Sequence, residues 1–323
     1  MSSRKIQLKR IAHVYYKYPN LEKARQFLID FGFVEEKRTT DISGKERIYF
    51  RGYGTEPWVF CAIKGDKPEF GGAAFVVESE ADLLHAAETL PSAIGPDKLL
   101  DAPGGGHCVT FNDPVDGWPM YLVYGQKEAE KLDIPFTTAP VNYPMEKNRP
   151  ANKTQRFIKR PAPVHKLGHF GVRTTNFAEA FKFYSTHFNF IASDILHDAE
   201  GIDTTAFFRL DRGKEQADHH SFFVAQGPSY KIHHTSYETY DFDTQLLGHD
   251  WLRDQGYENC WGVGRHVLGS QIFDYWFDPH KFIFEHYVDG DQVTSDEPTH
   301  RLRAGPELLY VWGPEVPKAF LLE

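Results

Sequence analysis

The sequence predicts an α+β protein of two homologous domains, each built from two strand–helix–strands modules. The first observation is a repeat within the 323-residue chain: RIAHVYYKYPNLEKARQFLIDFGF (residues 10–33) parallels KLGHFGVRTTNFAEAFKFYSTHFNF (166–190). The second is that each half closes with an Asp-Pro turn and an apolar strand. Because His, Asn and Asp-Pro recur in matching places, we interpret the pattern as a duplication.

Each repeat begins with an apolar strand that carries a histidine and continues into an amphipathic helix. Asn20 and Asn176 follow His13 and His169 by seven residues. Asparagine favours the N-cap, because its side-chain oxygen accepts a free backbone N–H, so each helix should begin directly after it. Apolar residues then recur at helical spacing: Leu21, Ala24, Phe27, Leu28 and Phe31, and in the second half Phe177, Ala180, Phe181 and Tyr184.

A second module follows about sixty residues later in each half. FGGAAFVVESEADLLHAAETL (70–90) and IHHTSYETYDFDTQLLGHDWL (232–252) both indicate a strand and then a helix. The closing segments are NDPVDGWPMYLVYG (112–125) and FDPHKFIFEHYVDG (277–290). We therefore expect an N-terminal domain over residues 8–130, a Pro-rich polar linker over 131–163, a C-terminal domain over 164–291 and a tail over 292–323.

Composition excludes several classes of protein. The formal net charge is −9, which argues against nucleic acid or an anionic membrane surface as a partner. No run approaches the roughly 18 apolar residues of a membrane span, and the start MSSRKIQLKR lacks the apolar core of a signal peptide. The three cysteines are widely separated, so we expect no disulfide framework, no CxxC zinc site and a cytoplasmic location.

Three residues of the second half form a candidate metal-ligand set. His169 lies in the apolar strand LGHFGV, and His234 lies in KIHHTSYET, at the start of the equivalent next module. A lone histidine in such a strand is more often a core residue, but pseudo-symmetry would bring these two strands side by side. Glu285 stands in KFIFEHYV, where an unpaired carboxylate is costly to bury unless the strand is an edge exposed to water. Two imidazoles and one carboxylate hold non-haem Fe(II), although Mn(II) or Zn(II) can occupy the same set.

The first half lacks this set. It keeps His13 but has Gly71 and Gly72 where the second half has His233 and His234. Its closing strand, MYLVYG, carries no carboxylate. We therefore expect the N-terminal domain to be a scaffold or an interface without a metal site.

Together these motifs resemble the two-domain extradiol ring-cleaving dioxygenases of the vicinal oxygen chelate superfamily, over about residues 8–290. The resemblance implies paired βαβββ modules, with Fe(II) held in the C-terminal domain only, by His169, His234 and Glu285. It also places a second set of active-site residues: His220 in DHHSFFV, with His219 as the alternative, and the pair His266 and Tyr275, which precede Glu285 by nineteen and ten residues.

The resemblance implies a function as well. The expected reaction is Fe(II)-dependent cleavage of a catecholic ring beside its two hydroxyls by O2, giving a ring-opened semialdehyde or keto acid. His220 would be the acid and base, and His266 and Tyr275 would hydrogen-bond the substrate oxygens. Two departures concern the substrate: DPHKF lacks the usual glycine, and Gly171 stands where some members carry a pocket asparagine.

Other functions compete with this hypothesis. A 4-hydroxyphenylpyruvate dioxygenase-like enzyme shares the metal set but does not need His266 and Tyr275, and a glyoxalase would place its metal between domains. A non-catalytic protein that binds aromatic molecules would not need all six positions. For the pocket lining we predict Phe222, Trp261, Arg265 and Phe273, with Arg265 meeting either a substrate carboxylate or solvent. A homo-oligomer, dimer or tetramer, is expected.

Overall fold

Two large mixed sheets dominate the computed structural model, which describes residues 4–41, 44–136 and 140–322. The sheet of the first half has eight strands, and that of the second half has nine. The first half contains β1 (Leu8–Tyr18), α1 (Leu21–Phe31), β2 (Val34–Thr40), β3 (Glu46–Arg51), β4 (Phe60–Lys64), β5 (Glu69–Val77), α2 (Glu80–Thr89), β6 (Ile94–Lys98), β7 (His107–Asn112) and β8 (Pro119–Tyr124).

The second half repeats this order with one short strand inserted and further elements added at its end. It contains β9 (Lys166–Thr174), α3 (Phe177–His187), β10 (Phe190–His197), β11 (Asp203–Leu210), β12 (Ala217–Asp218), β13 (Phe222–Gln226), β14 (Lys231–Glu238), α4 (Phe242–Asp254), β15 (Glu258–Arg265), β16 (Ile272–Phe277) and β17 (Ile283–Val288). The added elements are β18 (Gln292–Val293), β19 (His300–Arg303), a 3-10 turn (Pro306–Leu308) and α5 (Lys318–Leu322).

The first strands of the two modules pair at the centre of each sheet. The strand orders are β2-β3-β4-β1-β5-β8-β7-β6 and β15-β16-β17-β14-β9-β13-β11-β10-β19. In the antiparallel central pairs, Tyr15 lies opposite Gly72 and Gly171 lies opposite His234. The register of the two halves is therefore the same. The predicted fold class, two copies of paired βαβββ modules, is confirmed.

The asparagine caps are confirmed. Oδ1 of Asn20 accepts the backbone N–H of Lys23 at 3.0 Å, and Oδ1 of Asn176 accepts that of Glu179 at 3.3 Å. Helix α1 ends at Gly32, where φ is +109° and a Cβ atom would lie 1.8 Å from the carbonyl oxygen of Ala162. Only glycine meets both conditions, so this residue seats the end of the linker against the first half.

The two sheets pack back to back through one continuous core. Alternate residues of a strand point to opposite faces. Val14 and Tyr16 of β1 and Phe170 of β9 accordingly face this core. Aromatic rings meet across it, with centroids 5.8 Å apart for Tyr16 and Phe284 and 6.2 Å for Phe70 and Phe170. The opposite faces form two concave surfaces, which we call the N-terminal and C-terminal cups; His13 lies in the first and His169 in the second.

The linker and the tail differ in how they pack. In the described part of residues 131–163, pairing is limited to one isolated bridge between Asn142 and Lys147. The tail adds β19 to the edge of the second sheet and places α5 over the C-terminal cup. None of the described helices is long and apolar enough to cross a membrane.

Candidate active site and metal centre

Three neighbouring strands bring His169, His234 and Glu285 together in the C-terminal cup. In the register of the sheet, Ser236 of β14 lies opposite both His169 of β9 and Glu285 of β17. The Nε2 atoms of the two histidines are 3.1 Å apart. Oε2 of Glu285 lies 3.2 Å from Nε2 of His169 and 3.4 Å from Nε2 of His234. Among the described residues, this is the group of His, Cys, Asp and Glu side chains that can hold a metal ion.

Burial and charge at this cluster suit a divalent cation. Glu285 is completely buried, and neither of its oxygens accepts a hydrogen bond from any residue that the structure describes. Burial alone would raise the pKa of Glu285, but His169, His234 and His266 hold it well below its usual value. Burial lowers the pKa of His234 to about 4. A carboxylate and neutral imidazoles are the forms that bind metal. Their lone pairs face one another here, and a cation would accept them and remove the repulsion between them.

His266 and Tyr275 form a second pair beside the cluster. The Tyr275 hydroxyl lies 2.8 Å from Nε2 of His266, and that nitrogen lies 3.8 Å from Oε1 of Glu285. Nδ1 of His266 is 2.6 Å from the carbonyl oxygen of Leu309. Since a carbonyl only accepts, Nδ1 carries the proton and Nε2 accepts from Tyr275. The pKa of Tyr275 is raised well above its usual value by burial and by Glu285, so this hydroxyl keeps its proton.

His220 and His219 point in different directions. The ring of His220 lies 4.1 Å, centroid to centroid, from that of His169, and 5.2 Å from that of Phe207. His219 instead directs Nε2 towards Asp194, at 2.9 Å. The Nδ1 atoms of the two histidines are 3.2 Å apart. Burial, then the neighbouring His169 and His219, lower the pKa of His220 well below its usual value.

The wall of the cup is aromatic, and one predicted lining residue is wrong. Phe222 is fully buried in the common core, where its ring stacks on Phe170 at 4.7 Å. Its neighbour Phe223 faces the cup, with its ring centroid 5.2 Å from that of His234. The prediction missed the alternation of the strand by one residue. A Cβ atom at Gly171 would lie 1.7 Å from the Phe223 ring, so this ring fills the space above that glycine.

The other predicted lining residues divide in two. Trp261 and Phe273 lie in the aromatic wall, with ring centroids 4.1 Å apart. Arg265 turns away and places Nη2 2.7 Å from a carboxylate oxygen of Asp289. The tail contributes Phe320, which no sequence pattern indicated; its ring centroid lies 4.7 Å from that of Tyr275. Sequence spacing carried no signal for Phe320, because α5 reaches the cup only through the folded path of the tail.

The N-terminal cup repeats the geometry without the ligands. The sheet register places His13, Gly72 and Tyr121 where the other half has His169, His234 and Glu285. His13 stacks on Trp58, with centroids 3.5 Å apart. The cup is filled by aromatic side chains, and within the described ranges it presents no second set of three metal-binding side chains.

The duplicated βαβββ arrangement is that of the vicinal oxygen chelate fold, and one of its two cups holds a buried cluster of two histidines and a glutamate. Residues 166–285 match the family model described as the glyoxalase/bleomycin resistance protein/dioxygenase superfamily, so the second half carries a domain of that superfamily. The chain is 29% identical to metapyrocatechase 2 of Cupriavidus necator over 317 residues. The aligned region covers 96% of this chain and 91% of the relative.

Solved structures share the fold over nearly the whole chain. The Mn(II)-bound glyoxalase from Novosphingobium aromaticivorans has a TM-score of 0.78 at 21% identity, covering 97% of this chain and 94% of that one. Homoprotocatechuate 2,3-dioxygenase from Brevibacterium fuscum, in an anaerobic complex with 3,4-dihydroxyphenylacetate, has a TM-score of 0.78 at 18% identity, covering 99% and 93%. The resemblance to two-domain extradiol dioxygenases is therefore confirmed.

Proposed function

We propose that the protein is a metal-dependent extradiol dioxygenase that cleaves a catecholic ring with O2. The observation that carries the proposal is the convergence of His169, His234 and Glu285 in a buried cup, beside the hydrogen-bonded pair His266 and Tyr275. The name of the metapyrocatechase relative supports the same reaction class. The product is a ring-opened semialdehyde or keto acid.

The three ligands would hold Fe(II), and Mn(II) fits the same donor atoms. When bound, such an ion would supply a Lewis acid that brings catechol and O2 together, so that their encounter becomes intramolecular. Bonded to each other, His266 and Tyr275 present a polar edge to the substrate oxygens and stabilise the charge that develops there. The aromatic wall excludes water around the ring.

We assign the acid and base role to His220 rather than His219. The ring of His220 lies against that of His169, whereas Nε2 of His219 contacts Asp194 on the far side. Because Nδ1 of His220 is engaged by His219, its Nε2 is the nitrogen available to take a proton from the catechol and return it.

The lining of the cup favours catechols with apolar substituents. Phe223, Trp261 and Phe320 surround the site, and the guanidinium of Arg265 is paired with Asp289 instead of facing the cup. A carboxylate on the substrate would lose water there without gaining this partner. Catechol and alkylcatechols should therefore be better substrates than 3,4-dihydroxyphenylacetate.

We further propose a cytoplasmic homo-oligomer, a dimer or a tetramer. Cys61, Cys108 and Cys260 are buried and are not joined in disulfide bonds, which suits a reducing compartment. Apolar side chains of the linker are exposed, among them Met145 and Ile158, as is typical of surfaces that meet another chain.

The test is anaerobic reconstitution with Fe(II) or with Mn(II), followed by a screen of substituted catechols in air. We expect yellow ring-fission products, with the metal-free protein as the control. Protein that holds one ion per chain and cleaves no catechol would contradict the proposal.

A further inference from the structure

Behind His220, two more buried polar side chains lie on the side away from the metal ligands. Nδ1 of His220 is 3.2 Å from Nδ1 of His219, and Nε2 of His219 is 2.9 Å from Oδ2 of Asp194. Asp194 comes from β10, and both histidines come from the turn before β13. Asp194 is 3% exposed and His219 is 9% exposed, so neither is merely a solvated surface group.

The surrounding chain holds His219 in this position. Its backbone N–H donates to the carbonyl of Asp291 at 3.0 Å, and its carbonyl accepts the Ser193 hydroxyl at 2.6 Å. The buried Arg209 donates to the same hydroxyl at 3.0 Å. Gly269 has φ of +74°, and a Cβ atom there would lie 3.0 Å from Nδ1 of His219, so the glycine leaves room for the ring.

The contacts define which nitrogens carry protons. The 2.9 Å contact between Nε2 of His219 and Oδ2 of Asp194 is not aligned as a hydrogen bond. A carboxylate at this distance repels a lone pair on Nε2, so the proton of His219 lies on that nitrogen. Nδ1 of His219 then has a free lone pair and accepts from Nδ1 of His220. That leaves Nε2 of His220 unprotonated and able to accept a proton.

His300 does not change this assignment of protons. Its Nδ1 lies 3.7 Å from Oδ1 of Asp194, which is beyond hydrogen-bond distance, and its side chain is half exposed. Together with Asp194 and His219 it lines a surface cavity of about 380 Å³. Oδ2 of Asp194 contacts His219, and Oδ1 is the oxygen nearer to His300.

We propose that Asp194 and His219 are positioning residues that fix the tautomer and orientation of His220. The catalytic consequence rests on the function proposed above, whereas the tautomer is a property of the chain itself. The buried carboxylate of Asp194 orients the imidazole of His219. His219 in turn determines which nitrogen of His220 carries the proton, so His220 presents an acceptor nitrogen to the substrate.

The first test is nitrogen NMR of the full-length protein, labelled with 15N-histidine and loaded with Zn(II) as a diamagnetic ion. The expected spectrum assigns His219 as the Nε2–H form and His220 as the Nδ1–H form. In Asp194→Asn the new amide can donate to Nε2, so both histidines should change tautomer. An Nδ1–H form of His219 in the wild type, or an unchanged His220 in Asp194→Asn, would overturn the inference.

The second test is steady-state kinetics of the iron-loaded variants. For Asp194→Asn and His219→Gln we expect kcat to fall roughly 10- to 100-fold, while KM and iron content stay within about twofold. His249→Gln is the matched control, because Nδ1 of His249 also contacts a buried carboxylate, that of Asp274 at 3.0 Å, away from His220. Its kcat should equal that of the wild type.

An unchanged kcat in both Asp194→Asn and His219→Gln would overturn the catalytic consequence. The two proposals fail separately. If the wild-type protein cleaves no catechol, the proposed function is wrong, yet the nitrogen spectra still decide the tautomer. His220 as Nδ1–H then supports the inference, and His220 as Nε2–H overturns it.

Discussion

Glu285 combines full burial with a charge, and this is the clearest residue-level sign of a bound cation. In β17, Glu285 lies between the buried residues Phe284 and His286, and the polar groups that approach its oxygens are imidazoles that also need a partner. The role of Glu285 as a metal ligand could be predicted from the sequence, because a carboxylate in KFIFEHYV is costly to bury without a partner. The direction of His219 could not, since it depends on Asp194, 25 residues away in sequence.

Removal of the His220 imidazole should separate proton transfer from metal binding. In His220→Ala the three metal ligands remain, so iron content should equal that of the wild type. Turnover should fall by roughly 10²- to 10⁴-fold, the usual contribution of a positioned acid or base. Metal analysis and oxygen-uptake kinetics on the same sample measure both. Normal cleavage by His220→Ala would show that another residue moves the proton.

Asp278 makes stability depend on pH. Burial raises its pKa to about 6, from an ordinary value near 4. The folded state therefore holds this proton more tightly than the unfolded state, and stability falls as pH rises from about 4 to 6. Asp278→Asn cannot ionise, yet its side-chain oxygen can still accept the N–H groups of His280 and Phe282.

The free energy of unfolding of Asp278→Asn, relative to the wild type, should therefore rise between pH 4 and 7. The expected gain is roughly 2–3 kcal/mol, and it should level off above pH 7. Urea denaturation at each pH measures it, and metal-linked effects common to both proteins cancel in the difference. A difference that is constant across this range would rule out the raised pKa.

At the scale of elements, helix starts and turns could be predicted from the sequence, whereas the buried face of one strand and the last helix could not. The two asparagine caps and the Asp-Pro turns could be read from local chemistry. The face of β13 could not, because FF offers no polar alternation to show whether Phe222 or Phe223 points inward. Helix α5 also escaped prediction, since five residues carry little periodicity.

Helix α5 closes the cup through Phe320. In Phe320→Ala the ring that contacts Tyr275, Trp261 and His233 is lost. We expect the KM for catechol to rise roughly tenfold, as the removal of one aromatic contact surface predicts, with little change in iron content. Leu321→Ala is the matched control, because this neighbour is exposed. Equal KM values for the two variants would exclude a role for Phe320 in the substrate cavity.

At the scale of the whole molecule, the halves share one core and should unfold together. Phe284 of β17 packs on Tyr16, Phe27 and Phe60 of the first half, with centroids 5.2–5.8 Å apart. The duplication predicted two similar domains. Their back-to-back packing could not be predicted, because apolar strands indicate burial without identifying the partner.

Phe284→Ala should destabilise both halves by roughly 3–5 kcal/mol in a single transition. Hydrogen exchange of peptides from each half, measured across a urea series, tests this. The control Phe242→Ala removes a side chain that is 41% exposed and should cost below about 1 kcal/mol. Loss of protection in the second half alone would show that the halves are independent.

The most direct test of the central claim, a single catalytic metal site in the C-terminal cup, is the iron content of anaerobically reconstituted wild-type protein and Glu285→Ala. We expect about one Fe(II) per wild-type chain and close to none in the variant, with loss of catechol cleavage, because the two remaining imidazoles lack the charged ligand. Full iron content in Glu285→Ala would contradict the account.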